Sequence, residues 1–308
     1  ERFRGEMREH RLGRELVATQ VVNSLVNRAG SSFAFRLTEE NGAAAPDIAR
    51  CYIVAREVFG MRGIWSEIEA LDARVPAGTQ SRMLLDVRRL LERAARWLLR
   101  NRRPPLDIAE TVEHFSAGTR ELTEELPNLL LEADHDALER SVEALTGDGV
   151  PEDLARRVVS LNSLFSALDI VEVATSSGRP VSEVAAVYFT AGDRLWLHWL
   201  RERIDALPRH DRWQTLARAA LRDDLYSQQI SLTAEVLRSA GTDGLEDVPG
   251  AVEEWIEARG PAAARALGML SDIRNGGVFD LSTLSVALRE VRNLTATGAP
   301  ETAARGRG

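Results

Sequence analysis

The 308-residue chain contains no lysine: all 39 basic residues are arginine, set against 47 acidic residues for a formal charge of −8. That absence removes chemistry. A Schiff-base enzyme, a phosphate-binding loop ending in lysine, and a dehydrogenase that grips or polarises its substrate with a lysine ammonium all lack their working group. With a single cysteine, Cys51, an internal disulfide, a thiolate metal cluster and a redox pair are excluded, leaving only pairing between chains. No apolar run approaches the roughly 20 residues that span a bilayer, and the opening residues alternate charges where a signal peptide would be apolar. The expected setting is cytoplasmic, with no membrane partner.

Short functional motifs are missing as well. No Gly-x-Gly-x-x-Gly run follows a strand and no Walker-type loop occurs, so a dinucleotide or triphosphate site has no motif to rest on. The five histidines, His10, His114, His135, His198 and His210, show neither His-x-x-x-His nor His-Glu-x-x-His spacing, and no metal site is expected. Ser227 and Ser231 lack a nucleophile-elbow context. Arg222-Asp223-Asp224 is a dense polar cluster, but adjacent carboxylates on a helix point about 100° apart and do not form a ready acid–base pair. Trp196, Trp199 and Trp213 read as core or domain-interface anchors.

What remains is helical periodicity. Val17, Val21, Val22, Leu25 and Val26 give the first segment one apolar side, with Gly30 as its stop. Ser31 to Gly42 reads as a short helical or extended connector. Pro46-Asp47 opens a helix carrying Ile48, Tyr52, Ala55 and Phe59. The clearest helix runs from about Gln80 to Asn101, with Leu84, Val87, Leu91, Ala94 and Leu98 along one stripe and Arg82, Arg88, Arg89, Arg93, Arg96 and Arg100 on its other side. An acidic stretch from Glu110 to Glu139 follows and can pair with these arginines, which together with the negative total argues against nucleic acid as a partner. Leu106 to Glu110 resembles Leu168 to Glu172, read as two caps at Asp107 and Asp169.

Gly147-Asp148-Gly149-Val150-Pro151 is the expected bend or linker. Beyond it, Ser182 is expected to cap a helix reaching Leu207, a long helix follows from His210-Asp211 to about Ala240, and shorter ones cover 251–258, 261–274 and 281–295. The expected fold is all-α, a multi-helical, bundle-like domain of two packed helical lobes.

A set of dispersed segments carries a resemblance. Ala18-Thr19-Gln20 through Gly30, Asp47-Ile48-Ala49-Arg50, Arg89-Leu90-Leu91-Glu92-Arg93, Arg96 to Asn101, Leu168 to Ala174, Trp213-Gln214 with Leu216-Ala217-Arg218, Leu221 to Tyr226 and Leu284 to Arg292 resemble the region after the catalytic core in the very large bacterial NAD-specific glutamate dehydrogenases. The helical pattern and the bend divide the chain into lobes at 46–148 and 149–296 with a flexible tail at 297–308, and the resemblance makes residues 1–45 a helix and connector from the catalytic region. It also implies that NAD and the glutamate-oxidising residues belong to an upstream catalytic domain, so no catalytic, cofactor or metal residue is carried onto this chain. Its expected partners are that upstream domain and further copies of the parent. Contacts are expected near Trp65, Arg88, Arg96, Trp97 and Arg100, since tryptophan and arginine suit partly buried interfaces. A ligand-sensing regulatory domain is the alternative.

Overall fold

The structure, a computed structural model, describes residues 10–130, 132–241 and 244–296. The expected tail at 297–308 and the first nine residues of the opening periodic stretch lie outside the described residues. Among those described, fifteen α-helices and one short 3-10 turn account for the regular structure, with no strand. The fold is all-α.

Proline sets several helix starts. Pro76, Pro151 and Pro180 each stand immediately before a helix, at α5 (Ala77–Asn101), α8 (Glu152–Ser160) and α10 (Val181–Arg194), where the fixed φ is compatible and the missing N–H goes unused. Pro46 sits in the first turn of α3 (Ala45–Val58). The first segment forms α1 (Gly13–Ala29), stopped by Gly30 at φ 91°. The ambiguous connector is a helix, α2 (Phe33–Asn41), which buries Phe33 and Leu37 and ends in a left-handed Gly42. Gly60, also left-handed, turns α3 into α4 (Met61–Glu69).

Two expectations about caps divide. Asp107 accepts from the Glu110 backbone N–H at 3.0 Å and so caps α6 (Ile108–Leu129). Asp169 instead lies inside the first turn of α9 (Ala167–Ser177), continuous with the 3-10 turn Ser163–Ser166 before it. Ser182 is likewise not a cap; Pro180 takes the position without a side-chain bond. The single helix expected from Ser182 to Leu207 is broken at Trp196, whose φ of 53° separates α10 from α11 (Leu197–Asp205). A bulky residue in that region is strained, and since neither glycine nor proline marks the break, the periodic stripe runs straight through it.

The remaining helices are α7 (Glu132–Gly147), α12 (Arg212–Ser239), α13 (Val248–Glu257), α14 (Gly260–Gly276) and α15 (Leu281–Ala296). Contacts divide the chain into two units: one holds residues up to Leu126 with Glu132–Leu168, the other Pro127–Leu131 and Asp169 onward. The Gly147–Pro151 bend, expected as the lobe boundary, is a tight turn inside the first unit. Asp148 there accepts from Thr79 Oγ1 at 2.5 Å, and Val150 is buried, which ties the turn to the start of α5. The N-terminal helices, expected as a separate segment, pack with α3 and α5 in the same unit.

In the first unit α3 lies along α5 and α7 pairs with α8. Tyr52, Ile48, Phe33, Leu90, Leu91 and Phe115 are fully enclosed. In the second, α12 packs on α10, α11 and α15, while α14 pairs with α15. Gln229 of α12 is buried, donates to the Tyr188 carbonyl at 3.1 Å and accepts from Arg201 at 3.0 Å. Gly192 makes this approach possible, because a Cβ there would overlap the Gln229 amide. No single helix among the described residues is long and apolar enough to cross a membrane.

Candidate functional site

The five residues expected at a contact surface lie on α4 and α5. Trp65 is buried under the Arg28 guanidinium, 4.9 Å from the ring centroid, and Arg28 pairs with Glu69. Trp97 is buried edge-on to Phe115, with ring centroids 5.5 Å apart. Arg88 donates to Glu92 at 2.9 Å, and the missing side chain of Gly30 leaves room for its guanidinium. Arg36 of α2 reaches the same Glu92 at 2.6 Å. Arg96 donates to Glu40 at 2.9 Å, with the two side chains only 11% and 18% exposed. Arg100 is exposed and reaches Asn41 at 3.4 Å. The structure thus gathers these arginines, but on α2, within the unit: they fasten the N-terminal helices to α5. Both tryptophans serve the core and present no accessible ring.

The other candidates also resolve into structural roles. Asp223 is buried, Asp224 pairs with Arg292 at 3.2 Å, and Arg222 approaches Asp205 at 3.7 Å. Asp205 also receives Arg218 through its backbone carbonyl at 2.9 Å, at the end of α11, where orphan carbonyls attract cations. Burial, with Arg209 and Arg222 nearby, lowers the Arg218 pKa. Among the described residues no three His, Cys, Asp or Glu side chains converge with metal-site geometry. Burial, followed by the Asp47 charge, pushes the Cys51 thiol up to about 12, so it holds its proton at neutral pH.

Two cavities open in the first unit. One, of about 340 Å³, has Cys51, Asp47, Arg102 and Arg103 in its wall. The other, of about 320 Å³, is assembled from the α3–α4 turn, the middle of α6 and the α8 to 3-10 segment. Its polar residues are Glu57, Ser116, Thr119, Arg120, Thr123 and Arg157; its apolar ones are Val58, Phe59, Ile64, Leu161 and Leu164. Burial raises the Glu57 pKa, but hydrogen bonds from Arg62 and Arg56 and their charges outweigh it, holding the carboxyl below its ordinary value.

A third feature escaped sequence reasoning. Every residue from Arg14 to Gln20 is exposed, although α1 carries Leu16 and Val17 there and exposed Val22 and Val26 farther on. Val22, Val26, Leu12 and Leu16 lie within roughly a third of the helix circumference beside the buried Leu25 and Ala29, with Glu15, Thr19 and Asn23 interleaved among them. Phe35 of α2 is 64% exposed. The apolar stripe was legible, but which part the chain itself covers was not.

The sequence model described as glutamate dehydrogenase, C-terminal, matches residues 1–293. The chain belongs to the glutamate dehydrogenase C-terminal family. NAD-specific glutamate dehydrogenases are similar to it along almost its whole length: that of Mycobacterium tuberculosis is 40% identical over 297 residues, and that of Pseudomonas aeruginosa 38% over 294. A third, from Halomonas elongata, is 37% identical over 294 residues. In each case the match covers 96% of this chain and 18% of the relative. The chain therefore spans under a fifth of the length of these dehydrogenases, in the portion that the family describes as C-terminal.

Proposed function

We propose that this chain is the non-catalytic C-terminal domain of a large NAD-specific glutamate dehydrogenase, and that its work is structural: it docks on the catalytic portion preceding it and supports the assembly of the parent, a cytoplasmic homo-oligomer. The parent reaction is oxidation of L-glutamate with NAD and water to 2-oxoglutarate, ammonia and NADH. NAD and the reacting residues belong in this reading to the upstream domain. A chain of 308 residues without one lysine has no ammonium to offer a dicarboxylate substrate.

The observation that carries the reading is the exposed apolar side of α1 and α2. Exposed single hydrophobic residues are ordinary, but α1 exposes Leu16, Val22 and Val26, with Leu12 just before its first turn, and Phe35 is exposed on the next helix. In this reading the occupant that covers them is the catalytic portion of the parent. The test is a Val22→Glu, Val26→Glu double variant in the full-length enzyme. Both residues are exposed, so the isolated chain should keep its stability within about 0.5 kcal/mol, whereas the full-length enzyme should lose thermal stability or oligomeric mass. Unchanged mass and melting temperature in the full-length enzyme would remove the docking role. The second reading, a ligand-sensing domain, draws on the 320 Å³ cavity.

A further inference from the structure

We propose that the cavity bounded by α3, α4, α6 and α8 binds a small monocarboxylate with a short apolar body. The claim concerns binding and stands apart from the docking role of α1.

The argument starts from spacing. Ser116, Thr119, Arg120 and Thr123 recur every three or four residues on α6 and so share one edge of the cavity. Their hydrogen-bonding capacities differ. Ser116 donates its hydroxyl proton to the Val112 carbonyl at 2.6 Å, and Thr123 donates to the Thr119 carbonyl at 2.7 Å. With those protons committed, the two hydroxyls offer only lone pairs. Thr119 is different: its residue is 2% exposed, and its Oγ1 has no hydrogen-bond partner. A buried donor without an acceptor is unusual and costly. The oxygen is itself enclosed, so it meets an acceptor in the cavity only by turning about its side-chain torsion, and an oxygen lone pair that draws it there would remove that cost.

Charge accounting then selects the sign of the ligand. Glu57 is met by Arg56 at 2.6 Å and by Arg62 at 2.8 Å, and Arg157 is paired with Glu67. Arg120 is exposed and forms no ion pair or hydrogen bond among the described residues. The cavity edge therefore carries one uncompensated guanidinium beside one unspent hydroxyl donor. One carboxylate matches both, accepting from Arg120 on one oxygen and from Thr119 on the other.

The rest of the wall selects the body. Val58, Phe59, Ile64, Leu161 and Leu164 present hydrocarbon, and about 320 Å³ lies at the small end of ligand cavities. Inorganic phosphate would engage the donors but leave this wall unfilled. A carboxylate with a few carbons engages both.

Calorimetric titration of the full chain with butyrate, with inorganic phosphate in parallel, tests the proposal. Butyrate should saturate one site and phosphate should bind more weakly. Arg120→Gln should weaken butyrate about tenfold or more, the loss of one charge-assisted hydrogen bond. Thr119→Val keeps the side-chain shape, should weaken binding by a smaller factor, and should leave the melting temperature unchanged or higher. Arg140→Gln, an exposed arginine on α7 outside the cavity, should bind as the parent chain does. Four results would each overturn the proposal: no saturable butyrate heat, phosphate binding as tightly as butyrate, unchanged affinity in Arg120→Gln, or equal weakening in Arg140→Gln.

Discussion

Two long helices, α5 with 25 residues and α12 with 28, carry arginine and tryptophan in similar measure and are used in opposite ways. α5 is enclosed along most of its length. It buries Val87, Leu91, Ala94 and Leu98 on the expected stripe, and also Leu90, Arg93 and Trp97. Part of its charged side is covered too: Arg96 meets Glu40 of α2, and Arg36 of α2 joins Arg88 on Glu92, while Arg82, Arg89 and Arg100 stay exposed. α12 begins exposed. Asp211 accepts from the Gln214 N–H at 2.8 Å while the Gln214 side chain accepts from the His210 N–H at 3.0 Å, a reciprocal cap that starts the helix locally. Trp213 is 75% exposed, and the buried residues begin only at Leu221. A local cap can start a helix; the covering neighbours decide which residues of it are core.

Breaking the comparison is simplest where the difference is largest. Leu91 of α5 is fully buried, so Leu91→Ala should cost about 2–5 kcal/mol in denaturant unfolding, transfer and cavity together. A loss under 1 kcal/mol would mean that α5 is not the enclosed helix described. Next comes its charged side. Removing one partner of Arg96–Glu40 leaves a largely buried charge, and Glu40→Ala should cost about 2–4 kcal/mol. Replacing both with methionine should recover most of that loss. A double variant as unstable as the single one would show that the pair contributes net stability instead of only balancing its own desolvation.

A smaller effect concerns Glu57 at the end of α3. Its folded pKa is depressed, so its contribution is present above the unfolded value, near 4.5, and is lost as pH falls through the lower folded value. Glu57→Gln should therefore flatten the acid limb of stability against pH and leave the slope above pH 6 unchanged. Identical acid limbs would count against the Arg56–Glu57–Arg62 arrangement.

Legibility in the sequence followed the physics of each element. α5 was readable because apolar and charged residues separate cleanly around it. The helical character of 33–41 was half-readable, since Phe33, Phe35 and Leu37 also alternate like a strand. The break at Trp196 was invisible, because it rests on a backbone conformation that no glycine or proline announces. Arg96 and Arg100 were singled out for a surface, yet they hold α2: sequence shows that an arginine will seek a carboxylate but not whether the carboxylate lies in the same unit. The cavity was unreadable for a related reason. Its walls come from residues 57–64, 116–123 and 161–164, three stretches with no motif in common, and the unspent Thr119 hydroxyl can be recognised only after its neighbours are placed.

The finest test of the comparison is Trp213→Ala. From its residue type and position this tryptophan reads as an anchor, and in α5 the equivalent truncation of Trp97 would open a cavity against Phe115. At 75% exposure Trp213 loses little on truncation, and its Arg212 neighbour, 5.8 Å from the ring centroid, is a surface cation–π contact of about 0.5–1 kcal/mol. Alanine also has the higher helix propensity, which offsets roughly half of that. The net change in the isolated chain should fall within about 0.5 kcal/mol, and indole emission should match that of an exposed ring in its share quenched by iodide. A loss above 1 kcal/mol would mean that the start of α12 is held by the fold after all. If the chain is indifferent while the full-length protein loses stability with the same substitution, Trp213 is an anchor for a surface outside this domain.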